Sequence, residues 1–158
     1  MTDAMTQLYQ QVILDHSRER HGAGPGPDAA AESFQVNPTC GDEVRLRVHL
    51  ANDAAAPTVD HVTWDGAGCS ISQASVSVLS DLVAGADVGR VDELTETFRR
   101  LMNNRGEPLD AESEELLGDA AAFVGVARYP ARIKCALLGW MALRDALAHA
   151  VTSPPRAG

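Results

Sequence analysis

Aromatic side chains are scarce, making up 4% of the 158 residues. The interior must therefore be assembled from Leu, Val, Ile and Ala. Cysteines are few as well: Cys40, Cys69 and Cys135. None belongs to a Cys-x-x-Cys knuckle, the usual signature of a purely structural zinc module. Their odd number, with no secretory signal, argues against a disulfide scaffold. No basic block offsets the formal net charge of -9, which disfavours nucleic acid as a partner. No apolar run is long enough to span a membrane, and Met1 to Gln11 lacks the cationic and apolar parts of a secretion signal. A soluble protein of the reducing cytoplasm is expected. No GK[ST] follows the glycines of Gly22 to Gly26, so that stretch is not a phosphate loop. No internal repeat is present.

Apolar residues supply 45% of the chain, enough for one domain with a hydrophobic core. That domain is expected to span residues 1–158, with an ordered core over about 6–149 and a flexible tail over 150–158. Thr6 can cap a first helix reaching Ser17, with Leu8, Tyr9, Val12 and Ile13 as its apolar stripe. His21 to Pro27 then breaks regular structure. Phe34 and Val36 suggest a short strand ended by Asn37-Pro38. Val44, Leu46, Val48 and Leu50 alternate with Arg45, Arg47 and His49, the pattern of a half-buried strand. A turn over Asn52 to Pro57 leads to a third strand, Val59 to Trp64.

From Ser70 the period becomes helical: Ile71, Ala74, Val78 and Leu82 share a face, and Gly85 closes the segment. Two further helices are expected, over Asp92 to Met102 and Ala111 to Val124. Pro130 can start a long last helix burying Ile133, Leu137, Trp140, Met141 and Leu147. The connections between strands are too short for crossover helices, so the sheet should be antiparallel. The expected fold is α+β, a small three-stranded antiparallel sheet with helices packed on one face.

Chemistry concentrates at the cysteines. Cys40-Gly41-Asp42 puts a thiol and a carboxylate two residues apart, where extended chain points both the same way and glycine permits a tighter bend. Cys69 follows Gly66-Ala67-Gly68 at a helix start, where free backbone N–H groups favour thiolate. Cys135 follows Arg132-Ile133-Lys134, whose cations favour it too. Cys40, Asp42, Cys69 and Cys135 form a four-ligand set for a thiophilic metal, zinc first. With Zn²⁺ that set sums to minus two, which Arg132 or Lys134 would partly offset. Cys40, in its glycine-containing loop, is the candidate thiol for receiving a persulfide sulfur. Cys69 and Cys135 read as positioners. The competing reading of each cysteine alone is a buried, inert hydrophobe.

The histidines do not extend the set. His49, His61 and His149 read as solvated or locally bonded, and His16 and His21 as positive charge suited to a helix end. Asp15-His16-Ser17 is no triad, because adjacent helical residues point apart. Glu112, Glu114, Glu115 and Asp119 read as a solvated helix face.

Four segments together carry a family resemblance: Leu8 to His16, Asn37 to Asp42, Gly66 to Ser72 and Arg132 to Leu137. In these the chain resembles the IscU/NifU N-terminal-domain family, from about Leu8 to Leu147. Two features make it similar to the zinc-containing SufU branch. Lys134 precedes Cys135 where IscU scaffolds carry a ligating histidine, and Gly85 to Leu109 resembles that branch's insertion. The resemblance implies zinc held by Cys40, Asp42, Cys69 and Cys135. It implies a SufS-like pyridoxal-phosphate cysteine desulfurase as partner, with the chain acting as its co-substrate and activator, and downstream SUF assembly proteins as recipients. Cys40 would accept the enzyme's persulfide sulfur after a partner histidine takes its place on zinc, and Arg132 matches an arginine associated with that exchange. Ser17, where tyrosine is frequent, and the Gly- and Pro-rich loop of Arg18 to Pro27 depart from the pattern near a possible docking surface. The main alternative is a scaffold for a transient iron–sulfur cluster. A structural zinc adaptor is a second, and a zinc hydrolase a third that lacks a spare general base.

Overall fold

The computed structural model describes residues 4–51 and 57–152. The expected turn at 52–56 and the tail beyond 152 lie outside the described residues. Helix α1 (Ala4–Glu19) is followed by strands β1 (Ala31–Asn37), β2 (Asp42–Leu50) and β3 (Val59–Ala67). The helices α2 (Ser70–Val83), α3 (Val88–Met102) and α4 (Ala111–Leu117) come next, then a 3-10 helix (Gly118–Arg128) and α5 (Pro130–Thr152). The sheet has the order β1-β2-β3 with both pairings antiparallel. The α+β expectation holds.

Alternation along β2 decides which face is covered. Val44, Leu46 and Val48 are buried together with Val62 and Trp64 of β3, while Arg45 and Arg47 lie toward the open face. Helices α2 and α5 pack on the apolar face, α5 against β1 and β2 and α2 against β3. The interior continues through Leu79, Leu94, Phe98, Phe123 and Leu143. With few aromatics available, the ones present cluster. Phe98 stacks on Trp140 at a ring separation of 4.8 Å and meets Phe123 edge-on at 5.8 Å.

The helix expectations change in part, and the structure fixes the phase of β1. The helix read over Ala111 to Val124 splits, because Gly118 takes a positive φ of 53° that ends α4 and starts the 3-10 helix. In the α1 stripe, Tyr9, Val12 and Ile13 are half-buried but Leu8 stays 56% exposed. On β1, Phe34 and Val36 face outward, and Ser33 and Asn37 take the inner positions. Arg45 covers Phe34 from the neighbouring strand at 4.9 Å, which gives the exposed ring a cation partner.

The stretch His21 to Pro27 is irregular, as read, and is pinned along β3. Trp64 Nε1 donates to the His21 carbonyl at 2.7 Å, and Gly24 N–H donates to the Trp64 carbonyl at 2.9 Å. Among the described residues, no helix is long and apolar enough to cross a membrane.

Candidate metal centre

Asn37 and Asp42 pair across the β1–β2 turn, so Cys40 stands at the tip of a tight hairpin. Both Cys40 N–H and Gly41 N–H donate to the Asn37 carbonyl, and Gly41 takes a φ of 73° that closes the turn. Cys40 is exposed. Asp42 begins β2 on its inner face and is completely buried. A carboxylate in that position must be compensated. Its Oδ1 accepts the Cys69 backbone N–H at 2.8 Å, and its Oδ2 lies 3.8 Å from Cys69 Sγ. Cys69 is the N-cap of α2, so Asp42 satisfies one of the donors a helix start leaves open.

Cys135, in the second turn of α5, is buried, and its Sγ lies 3.5 Å from Cys40 Sγ. The ligand atoms of Cys40, Asp42 and Cys135 all lie within 4.8 Å of one another. Cys69 stands beside this trio through its two contacts with Asp42 rather than inside it. The sheet therefore supplies a turn thiol and a strand carboxylate, and two helices supply the remaining thiols.

Lys134 and Arg132 do not enter the site. Both are exposed, and Arg132 stacks over the Tyr129 ring at 5.0 Å. That pair lines an open groove of about 490 Å³ walled by Tyr9, Ile13, Ile71 and Val126. Among the described residues neither cation forms an ion pair with Asp42, so the offset of charge expected from them is not made within this chain. Burial pushes the Cys135 thiol well above the usual thiol range, reinforced by Asp42, Cys40 and Cys69 beside it. A buried carboxylate and crowded thiols, with no ion pair to Asp42 among the described residues, fit a divalent, sulfur-preferring metal ion.

Sequence reasoning missed Asn37 as part of the site. It read the residue as the end of a strand and the start of a family segment, with no role at the site, yet the buried Asn37 side-chain amide donates to Cys135 Sγ at 3.7 Å. Its signal was the inward phase of β1, which Ser33 and Asn37 hold.

Gly68 shows how tightly the pieces meet. A β-carbon there would collide with the Asp42 carboxylate and the Ser72 hydroxyl, and its φ is 150°. Gly68→Ala is expected to destabilise the chain by about 1–3 kcal/mol. Urea unfolding of the two proteins checks this, and an unchanged midpoint would contradict it.

The model of the NifU-like N terminal domain matches residues 8–136. The chain belongs to this family. It is similar to the zinc-dependent sulfurtransferase SufU of Bacillus subtilis, with 38% identity over 89% of this chain and 90% of that protein. It is also similar to the iron–sulfur cluster assembly scaffold protein IscU of Streptococcus pyogenes, at 34% identity over 90% of this chain and 84% of the relative. Among solved structures it superposes on the SufU of Fervidobacterium islandicum, described as a scaffold protein for the SUF system. There the TM-score is 0.71 at 32% identity, covering 89% of this chain and 97% of that one. The family includes iron–sulfur cluster assembly scaffolds.

Proposed function

We propose that this chain is a zinc-dependent sulfur acceptor, taking persulfide sulfur from a SufS-like cysteine desulfurase for iron–sulfur cluster assembly. The observation that carries the reading is an exposed thiol, Cys40, on a hairpin tip beside a buried carboxylate and a buried thiol; Cys69 is exposed too, but is fixed at the N-cap of α2. Cys40, Asp42, Cys69 and Cys135 would hold the ion. When bound, zinc would keep these thiols deprotonated and shield them from adventitious oxidation.

The residues divide the remaining work. Cys40 is the only one of the candidate ligands on a turn, so it can leave its neighbours without unravelling a helix or strand. Its thiolate would attack the outer sulfur of the desulfurase cysteine persulfide. The bond from that sulfur to the enzyme cysteine breaks as the new S–S bond forms, and the enzyme thiolate departs. Cys40 then carries the persulfide. Asp42, fixed through the Cys69 N–H, and Cys135, contacted by the Asn37 amide, hold the fixed side of the site. Arg132, on the rim of the groove beside α1, would assist the exchange of Cys40 from the side of the incoming enzyme.

The test is cysteine turnover by a SufS-like desulfurase, with this chain intact or carrying Cys40→Ser, zinc content being measured in both. The intact chain should accelerate turnover, and folded Cys40→Ser should leave the rate where it stands without the protein. No acceleration by zinc-loaded intact chain would overturn the reading for that pair. The IscU relatives support a second reading, a cluster scaffold. That reading requires visible iron–sulfur absorption after anaerobic reconstitution, whereas a colourless zinc-loaded chain supports sulfur transfer.

A further inference from the structure

His16, His21 and Asp81 form a second convergence of ligand atoms, within 4.8 Å of one another. It shares only α2 with the thiol centre, at the far end of that helix from Cys69. Asp81 is twelve residues along α2 from Cys69, roughly 18 Å at the helical rise. We infer that these three residues are a separate binding site for a transition-metal ion, held by two imidazoles and a carboxylate.

The backbone builds the site before any ion arrives. His16 lies in the last turn of α1 with only 7% of its side chain exposed. Arg20 at a φ of 50° and Gly22 at 82° then reverse the chain and bring His21 back beside it. His21 N–H donates to Ser77 Oγ at 2.8 Å and its carbonyl accepts from Trp64 Nε1, so the residue is held on both sides. The two imidazole rings sit edge to face with centroids 4.8 Å apart. Asp81 is one turn beyond Ser77 on the same helix.

Hydrogen-bond accounting at His21 supplies an independent reason for a cation. Nδ1 faces Asp81 Oδ2 at 2.6 Å, and Nε2 faces Glu19 Oε1 at 2.8 Å. A neutral imidazole has one N–H, so one nitrogen would turn its lone pair toward a carboxylate. Positive charge is required at that ring, from a second proton or from a metal ion. His16 Nε2 faces a further carboxylate, Asp119 Oδ2, at 3.0 Å. Three carboxylates thus surround two imidazoles, and a divalent ion balances more of that charge than one proton can.

The donor set defines the ion. Imidazole nitrogen with carboxylate oxygen suits zinc and its neighbours, and lacks the sulfur that marks the first centre. Bonds of about 2.0–2.2 Å put ligand atoms roughly 3.4 Å apart in a tetrahedral site. Reaching that from the present contacts means opening His21–Asp81 by under about 1 Å and bringing the His16 nitrogen, within 4.8 Å of both, to the same spacing. The side chains of His21 and Asp81 are 35% and 54% exposed, which leaves an entry path and a solvent-facing position. Glu19, already on His21, orients the ring as an outer partner.

The experiment uses the full chain. Zinc-saturated protein is dialysed against fixed free zinc and bound metal is counted by atomic emission, for the unaltered chain, His21→Ala and Asp81→Asn. Thiol shielding against iodoacetamide is measured on the same samples. Each variant should hold one equivalent less metal with thiol shielding unchanged. Cobalt at the lost position should show weak ligand-field bands without sulfur-to-metal charge transfer. Equal metal content in all three proteins would overturn the site and leave His21 as a protonated tether. Metal loss accompanied by loss of thiol shielding would overturn it too, because the substitutions would then act through the cysteine centre.

Discussion

Asp42→Ala will strip the cysteine centre of its metal and destabilise the fold at the same time. The carboxylate is fully buried and serves two purposes, accepting the Cys69 N–H and facing the Cys69 sulfur. Truncation orphans a helix-start donor, costing about 1–3 kcal/mol. It also removes the one hard ligand. Loss of an outer-sphere partner alone weakens metal sites roughly 10–100-fold, and a direct ligand should cost at least as much. Competition with a chromogenic chelator measures the affinity, and denaturant unfolding of metal-free protein isolates the stability component. Metal-free Asp42→Ala as stable as its metal-free parent would show that the Cys69 amide finds another acceptor.

Trp140→Ala should be the most destabilising of these substitutions, by about 3–5 kcal/mol against a total of roughly 5–15 kcal/mol. The indole is fully buried and stacks on Phe98. Its Nε1 donates to Ser75 Oγ at 3.1 Å, and that hydroxyl donates to the Ala136 carbonyl at 2.6 Å. Ser75 stands on the helix that Cys69 caps, and Ala136 follows Cys135. The chain Trp140–Ser75–Ala136 therefore clamps two cysteine-bearing helices together. Ser75→Ala separates clamp from bulk: it should cost about 1–3 kcal/mol and loosen metal binding, while leaving the aromatic stack in place. Thermal unfolding combined with chelator competition reads both.

Much of this architecture was legible in the residues. The alternation of Val44, Leu46 and Val48 marked β2 and its buried face, and glycine spacing marked the approach to Cys69. The candidate ligand residues stood out because cysteine is scarce and each copy has unusual neighbours. What failed was phase and partnership. The inner side of β1 was not read, because an edge strand with seven residues gives few alternations to fix it. The break at Gly118 was hidden by a run of alanines, good in either helix type, and only the positive φ reveals it. The His16–His21–Asp81 convergence was out of reach, since residues 60 apart meet only after α1 and α2 pack.

The spacing of the thiols also sets an order of events during biosynthesis. Cys40 and Cys135 touch across a separation of 95 residues. At ribosomal rates of about 5–20 residues per second, the hairpin thiol is made roughly 5–20 s before its counterpart on the last helix. Through that interval the nascent chain displays Cys40 and Cys69 without the third sulfur. Assembly of the thiol cluster is thus a late act of maturation, coupled to the docking of α5, and a chain stopped short of that helix would carry an exposed thiol with no buried partner to meet it.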